Sequence, residues 1–408
     1  MATSTDEPES SRWRFLYDAD GPEGRKKAQE IKEIDQFWTD FKAYKSKITW
    51  DSMKKDPNQA VGWVSEHLKP IEPEFEFEMG PAPDNKIELD ICRGSAFNRM
   101  PMLQTMVARA GDILGWKVDC YRKALDPLNV AGGFEARGHK KLGPFKAIVT
   151  EEQGHLISVT IDSPDFNKTV DTKDDVQSAF LLCELVLGEE NLDKWTGNFH
   201  SKNSGIIEKS NQDVPKAAEI FAKDFTQLKS TILSKLPEKY YYQVPKVEAV
   251  SLFKSSKASW DEAHKLNRGR LTFVSSFNDL MGGLDVPGSL HSERYSRHGE
   301  KFAYLQMLDE QSQFDDEKRN QIEDTLDKTL REQKLGSLAA TGRGVPNSYY
   351  FDLCLTDVDK AIPVLRSTCE RLGVPQKCWL RFYDYYWRSE WVRMMPKTPA
   401  LDRPTISW

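Results

Sequence analysis

The densest group of chemically capable side chains lies in one short polar segment, residues 288–300. This segment holds two of the chain's seven histidines, together with two glutamates and two arginines. Imidazole and carboxylate groups bind Zn²⁺ at about 2.0–2.2 Å, so His291, Glu293 and His298 are candidate metal ligands. The two histidines are seven residues apart, which places them on one face of a helix but on opposite faces of a strand. A metal-dependent hydrolase acting through residues 291–300 is one function that this group would support.

Two other interpretations of the same segment stay open. Arg294 and Arg297 are candidate ligands for an anion such as phosphate, because guanidinium groups match the geometry of phosphate oxygens. An anion-dependent hydrolase would use them to hold its substrate. Gly288 and Gly299 disfavour a regular helix between them, so a solvated loop that binds nothing is the other alternative.

A second segment near the C-terminus, Trp379–Val392, alternates aromatic and charged residues. Trp, Tyr and Arg are enriched among the interface residues that contribute most to affinity. The candidate partner-binding residues are Tyr385, Trp387, Arg388, Trp391 and Arg393. Aromatic and arginine side chains also stack on bases, so RNA binding is a second interpretation, and packing of the rings in the core is a third. The segment spans 14 residues, more than a strand usually does, so we expect a turn within residues 387–391.

Motifs of the common enzyme classes are missing from the sequence. A glycine-rich basic stretch, Ala131–Gly143, has glycines of the kind that cradle phosphate, but it matches neither the P-loop nor the dinucleotide-binding pattern. We predict that this stretch is a linker or a long loop. The chain has no G-x-S-x-G and no H-E-x-x-H. We therefore expect no cofactor, and the absence of a catalytic motif favours a protein without enzymatic activity.

Composition limits the class of protein. The chain has 408 residues, with 57 Lys and Arg against 63 Asp and Glu, and a formal net charge of −6. This charge excludes a globally basic nucleic-acid binder, so we expect no DNA partner. No apolar run approaches the roughly 18 residues of a membrane-spanning helix, and the first residues, MATSTDEPESS, lack the features of a secretory signal. Six cysteines without a C-x-x-C pair indicate free thiols, so we expect a cytoplasmic protein that contacts no membrane.

Apolar periodicity predicts an α+β fold with antiparallel strands and covering helices. Trp13, Phe15 and Tyr17 alternate near the N-terminus, so this piece is expected to dock as a strand. Near the C-terminus, a helix at 317–334 with apolar residues every four positions precedes a strand at 349–355, and we expect this domain to be ferredoxin-like. The predicted parts are a mobile acidic tail at 1–24, an N-terminal domain at 25–130, a middle domain at 144–237 and a C-terminal domain at 243–408.

Several segments resemble known families. In chain order they are Lys86–Gly94, Met102–Ala110, Gly115–Arg122, Phe180–Leu187, Gly188–Trp195, Tyr349–Leu353 and Asp357–Leu372. The five segments before residue 196 resemble a bacterial domain family whose function is not assigned. The last two resemble the small α+β domain of the regulator of ribonuclease activity B. That resemblance implies a protein-binding role on an RNA-processing enzyme.

These features together lead us to expect a cytoplasmic bacterial protein that binds and regulates a protein partner through its C-terminal segment. The resemblance makes an RNA-processing enzyme a candidate for that partner. The alternatives are the hydrolase that uses residues 291–300 and an RNA-binding regulator that uses the aromatic and arginine residues of the C-terminal segment.

Overall fold

Two compact units make up the chain. One unit comprises Met1–Arg122 with Tyr386–Trp391, and the other comprises Lys123–Tyr385 with Val392–Trp408. The structure is a computed structural model, and the residues that it describes are 12–82, 85–94, 96–167, 172–205, 212–245, 251–254, 270–275, 290–311, 314–344 and 347–401. None of the helices within these ranges is long and apolar enough to cross a membrane.

The first unit contains four helices and a three-stranded sheet. The helices are α1 (Pro22–Tyr44), α2 (Trp50–Lys55), α3 (Pro57–Leu68) and α4 (Met100–Ala110). The strands are β1 (Glu76–Ala82), β2 (Lys86–Cys92) and β3 (Trp116–Asp119), in the order β1-β2-β3. β1 pairs antiparallel with β2, whereas β3 pairs parallel with β2. The Trp38 indole N–H on α1 donates to the Met106 carbonyl on α4 at 2.8 Å, which joins two helices of this core.

The second unit begins with another three-stranded sheet. Its strands are β4 (Lys146–Glu151), β5 (Ile157–Asp162) and β6 (Thr196–Lys202), in the order β4-β5-β6. The helices of this part are α5 (Val130–Gly138), α6 (Lys173–Leu187), α7 (Glu189–Trp195) and α8 (Val214–Lys235). Apolar side chains of all four helices and of β5 share one core, which includes Phe134, Val159 and Phe221. The apolar middle of α6 therefore lies inside this core, because Leu182 and Cys183 are almost fully buried.

A seven-stranded sheet forms the rest of the second unit. Its strands are β7 (Ser251–Lys254), β8 (Arg270–Ser275), β9 (Lys301–Leu308), β10 (Gly336–Gly344), β11 (Ser348–Leu355), β12 (Cys378–Phe382) and β13 (Trp391–Arg393). They lie in the order β13-β12-β9-β11-β10-β8-β7. Two helices accompany these strands, α9 (Asp316–Glu332) and α10 (Val358–Leu372).

The middle of this sheet is a β-α-β-β-α-β unit. The chain runs β9, α9, β10, β11, α10, β12, and the sheet order β12-β9-β11-β10 is 4-1-3-2 in terms of these four strands. All three pairings are antiparallel. This is the ferredoxin-like arrangement, so both the α+β class and the ferredoxin-like prediction are confirmed. The two three-stranded sheets are mixed and not purely antiparallel as predicted, because β3 pairs parallel with β2 and β6 pairs parallel with β5. The four-residue repeat of Ile322, Leu326 and Leu330 is the buried face of α9, which is why the sequence revealed this helix.

The glycine-rich stretch is helical over residues 131–138, so the prediction of a loop is wrong there. Val130 and Phe134 are one helical turn apart, and both are buried. A Cβ atom at Gly133 would lie 2.5 Å from Cδ1 of Leu125, so a larger residue there would require the Leu125 side chain to move. Glycine lowers intrinsic helix propensity, but tertiary packing overrides that preference at this position.

Two further expectations concern the ends of the chain. The C-terminal segment contains the expected break, because β12 ends at Phe382 and a 3-10 turn at Tyr385–Trp387 precedes β13.

Residues 1–11 lie outside the described residues. Residues 12–21 form neither helix nor strand, so the expectation that the alternating aromatic residues dock as a strand is wrong. Trp13 is nevertheless buried, and α1 already begins at Pro22, inside the predicted tail.

Candidate metal centre

The register of two strands brings distant residues of the second unit together. β12 pairs antiparallel with β9, and Phe382 lies opposite Ala303. Continuing this register by two residues places Asp384 opposite Lys301. The chain just after β12 therefore runs beside the chain just before β9, although the two are about eighty residues apart in sequence.

Asp384 anchors a 3-10 turn that precedes β9. Its carboxylate accepts hydrogen bonds from the Ser292 backbone N–H at 3.0 Å and from the Ser292 hydroxyl at 2.5 Å. The same hydroxyl oxygen accepts from the Phe302 N–H at 3.0 Å. Ser292 is thus held from both sides, and this fixes the backbone that carries its neighbours, His291 and Glu293.

His291, Glu293 and Asp384 form a compact set of potential ligands. One ligand atom from each residue lies within 4.8 Å of the others. Two atoms bound to one ion at about 2.0–2.2 Å can be at most about 4.4 Å apart, so small side-chain movements would bring all three into one coordination sphere. His291 is 1% exposed and Asp384 is 4% exposed, which keeps bulk water away from two of the three ligands.

The protonation states of His291 and Glu293 suit a metal ligand sphere, whereas burial raises the pKa of the third residue, Asp384. Burial, reinforced by the nearby Arg294, lowers the pKa of His291 to about 3, so its imidazole is neutral at physiological pH. Burial alone would raise the pKa of Glu293, but Lys301 and Lys194 bring it down to about 2. A neutral imidazole and an ionised carboxylate are the forms that bind metal ions.

Positive groups already balance these carboxylates. The Lys301 ammonium lies 3.3 Å from Oε1 of Glu293 and 3.8 Å from Oδ1 of Asp384. The Lys194 ammonium lies 3.4 Å from the same Glu293 oxygen. The other carboxylate oxygen of Glu293, Oε2, is buried and accepts no hydrogen bond from the described residues. An added cation would therefore compete with these two ammonium groups, and Oε2 of Glu293 is the carboxylate oxygen with the capacity to bind it.

Glu293 also lines a cleft of about 580 Å³ between α7, α8 and the turn that carries it. The cleft includes three basic side chains, Lys194, Lys229 and Arg297, and a second acidic one, Glu190. Lys229 lies over the Trp195 ring at 4.7 Å and donates to Asn191, and burial lowers its pKa. A cation held by Glu293 would therefore sit at the wall of a cleft that is, on balance, positively charged.

The other three residues predicted to bind a metal or an anion, His298, Arg297 and Arg294, do not belong to the three-ligand cluster. The His298 ring stacks on Tyr240 with centroids 4.2 Å apart, and its Nε2 lies 2.9 Å from the Glu238 carbonyl. Arg297 donates to the Leu233 and Ser234 carbonyls at the end of α8, so it closes a helix end while lining the cleft. Arg294 is buried, and burial lowers its pKa. The structure thus brings His291 and Glu293 together and leaves His298 out.

The candidate partner-binding residues differ in exposure and in the contacts they make. Trp391 is buried, whereas Tyr385, Trp387, Arg388 and Arg393 are half-buried. The Tyr385 ring lies 6.0 Å from the His291 ring, and the Arg393 carbonyl accepts a hydrogen bond from Arg366. Trp387 and Trp391 contact residues near the N-terminus of the chain. Binding of a protein partner or of RNA through this segment stays a prediction.

Asp384 and Lys301 are the residues that sequence reasoning missed. Asp384 stands in the aromatic segment that we assigned to an interface, and no local spacing links it to His291. The signal that would have found it is the strand pairing, because the residue two positions after β12 must face the residue at the start of β9.

Comparison with known proteins gives no relative from which a function can be transferred. No protein family matches the chain, and no similar curated protein or solved structure was found.

Proposed function

We propose that this protein is a metal-dependent hydrolase whose divalent transition-metal ion is bound by His291, Glu293 and Asp384. The observation that carries the proposal is the convergence of these three ligand atoms within 4.8 Å of one another. One imidazole and two carboxylates form a donor set suited to Zn²⁺, Mn²⁺ or Fe²⁺. Three protein ligands leave at least one coordination position for water, as in catalytic rather than structural metal sites.

The chemistry follows from the position of the ion. A divalent ion held by His291, Glu293 and Asp384 would lower the pKa of a bound water to near 7 and so supply a nucleophile at neutral pH. Hydrolysis of a bound ester would then join the water oxygen to the phosphorus or carbonyl carbon, break the bond to the leaving oxygen, and leave the proton lost by water on that leaving oxygen. Lys194 and Lys229 line the cleft beside Glu293, which favours an anionic substrate such as a phosphate ester.

The test is reconstitution of activity by metal. The full chain is stripped of metal with a chelator, reloaded separately with Zn²⁺ and Mn²⁺, and assayed with p-nitrophenyl phosphate and p-nitrophenyl acetate. We expect hydrolysis that depends on metal and falls by at least about 100-fold in Asp384→Asn. His298→Ala is the matched control and should keep wild-type activity, because His298 lies outside the cluster.

The outcomes separate the two parts of the proposal. Metal binding without hydrolysis of either ester would show that the site exists but that the reaction class is wrong. Equal activity in wild type and Asp384→Asn would show that any hydrolysis occurs elsewhere. Activity that survives complete metal removal would overturn the metal-dependent mechanism.

A further inference from the structure

The N-terminal segment Arg12–Tyr17 lies in the first unit in the manner of a bound peptide. Three consecutive backbone N–H groups, those of Trp13, Arg14 and Phe15, donate to the carboxylate of Glu390 at 2.7, 2.9 and 2.9 Å. Glu390 is only 2% exposed. The donors of these bonds are main-chain N–H groups, so the bonds do not depend on which side chains the segment carries.

Side chains of the segment supply the specificity. The Arg12 guanidinium lies 3.9 Å from the centre of the Trp391 ring, and the Arg14 guanidinium lies 4.8 Å from that of Trp387. The Phe15 ring meets Trp387 edge-on at 6.1 Å. Arginine over tryptophan is the most favourable of the common cation–π pairs. The two tryptophan rings therefore favour a segment that has two arginines separated by one residue.

Trp13, between the two arginines, is inserted into the body of the unit. Its side chain is 2% exposed, and its indole N–H donates to the Thr105 hydroxyl at 3.0 Å. Its backbone carbonyl accepts from the Lys27 ammonium at 2.6 Å. Residues 12–15, Arg-Trp-Arg-Phe, are therefore held by a buried carboxylate, by two tryptophan rings and by burial of Trp13.

We propose that Glu390, Trp387 and Trp391 form a recognition site for an Arg–aromatic peptide segment of a partner protein, and that the chain's own residues 12–17 occupy this site in cis. A buried carboxylate that loses its hydrogen-bond donors is destabilised, which favours occupation of the site by such a segment. Tethering gives the chain's own segment an effective concentration of about millimolar. A partner segment replaces it only if its affinity or its concentration is high enough to compete with this value.

Limited proteolysis tests the cis contact. Trypsin cleaves after Arg12 and after Arg14, and mass spectrometry of the full chain reads both events. We expect the wild type to be protected and Glu390→Gln to be cleaved at least about tenfold faster, because one carboxylate oxygen is replaced by an N–H₂ donor that cannot accept these bonds. Glu310→Gln is the matched control, since Glu310 is an exposed partner of Lys377. Equal cleavage of wild type and Glu390→Gln would overturn the cis contact.

Peptide binding tests the recognition site itself. A fluorescent peptide with the sequence of residues 11–18 is titrated into the full chain and into Trp13→Ala/Arg14→Ala, whose circular dichroism confirms folding. We expect the double variant to bind the peptide at least about tenfold more tightly than the wild type, and a scrambled peptide to bind neither. No binding to the folded double variant would overturn the proposal. Concentration-dependent dimers of the wild type, formed by exchange of residues 12–17 between two copies, would overturn the assignment to a different partner protein.

Discussion

Lys301 offers a test of the proposed metal site at the scale of one residue. Its ammonium lies 3.3 Å from Glu293 and 3.8 Å from Asp384, where it would compete with a metal ion for the same two carboxylates. Replacement by methionine, Lys301→Met, keeps the length of the side chain and removes the charge. We predict that this variant binds Zn²⁺ or Mn²⁺ at least about tenfold more tightly than the wild type, about 1.4 kcal/mol. Isothermal titration calorimetry measures the difference.

Lys328→Met is the control for this comparison. Lys328 is an exposed lysine on α9 that pairs only loosely with Glu332 at 3.9 Å. Its loss should leave the metal affinity unchanged. If Lys301→Met bound metal more weakly than Lys328→Met, Lys301 would not compete with the ion for these carboxylates. The position assigned to the ion would then be wrong.

A second prediction at the residue scale concerns Glu30 on α1. Burial raises the pKa of Glu30, although Arg99, 3.7 Å away, acts in the opposite direction. A carboxyl group whose pKa is raised on folding contributes stability below its ordinary pKa and loses that contribution as the pH rises through the raised value. Glutamine does not ionise, so Glu30→Gln does not lose stability in this way. As the pH rises from 4 to 7, the free energy of unfolding of the variant should therefore increase relative to that of the wild type. Urea unfolding at the two pH values checks this, and an unchanged or reversed difference would contradict the prediction.

The candidate site shows how far single residues can be assigned from sequence. His291 and Glu293 are two positions apart, so their association was visible as a local pattern. His298 belonged to the same pattern, yet it stacks on Tyr240, because Gly299 and the 3-10 turn break the regular spacing that would have aligned the histidines. Asp384 could not be predicted, since its proximity depends on the pairing of β12 with β9 and not on any motif.

At the scale of elements, α5 offers a matched pair of substitutions. A Cβ atom added at Gly132 meets nothing within 4 Å, whereas one added at Gly133 lies 2.5 Å from Leu125. Both changes to alanine gain helix propensity of about 1 kcal/mol. We predict that Gly132→Ala stabilises the protein by about 0.5–1 kcal/mol and that Gly133→Ala is at least about 1 kcal/mol less stable than Gly132→Ala.

Chemical denaturation monitored by circular dichroism measures both variants. The comparison is internal, because the two positions share a helix and gain the same methyl group. Equal stability of Gly132→Ala and Gly133→Ala would show that close packing of α5 does not explain the glycine at position 133.

The ferredoxin-like region was predictable because its elements carry their signals locally. α9 presents apolar residues every four positions, and α10 ends at Gly373, which adopts the left-handed conformation that glycine favours. The glycine-rich helix α5 was missed, since glycine at a helix contact has the same sequence signature as glycine in a loop. The docking of Arg12–Tyr17 was only partly foreseen. Its aromatic alternation was visible, but its partner, Glu390, lies at the other end of the chain.

At the scale of the whole molecule, the two sites belong to different units. His291, Glu293 and Asp384 lie in the second unit, and Glu390 with the segment Arg12–Tyr17 lies in the first. We predict that added metal slows amide hydrogen exchange in β9, in β12 and in the loop that precedes β9, because binding to the native state suppresses local opening around the ligands. Exchange in α1 should stay unchanged. Hydrogen-exchange mass spectrometry checks both statements. Slower exchange confined to α1 would show that the metal binds to the first unit, which would contradict the proposed site.

The number of metal ions bound per chain tests the central claim most directly. Wild type, Asp384→Asn and His298→Ala are dialysed against the same low concentration of Zn²⁺ or Mn²⁺, freed of unbound ion and measured by elemental analysis, with circular dichroism to confirm folding. The proposed site predicts about one ion per chain in wild type and in His298→Ala, and loss of that ion in Asp384→Asn. No bound ion in the wild type, or the same number of ions in folded Asp384→Asn, would contradict it.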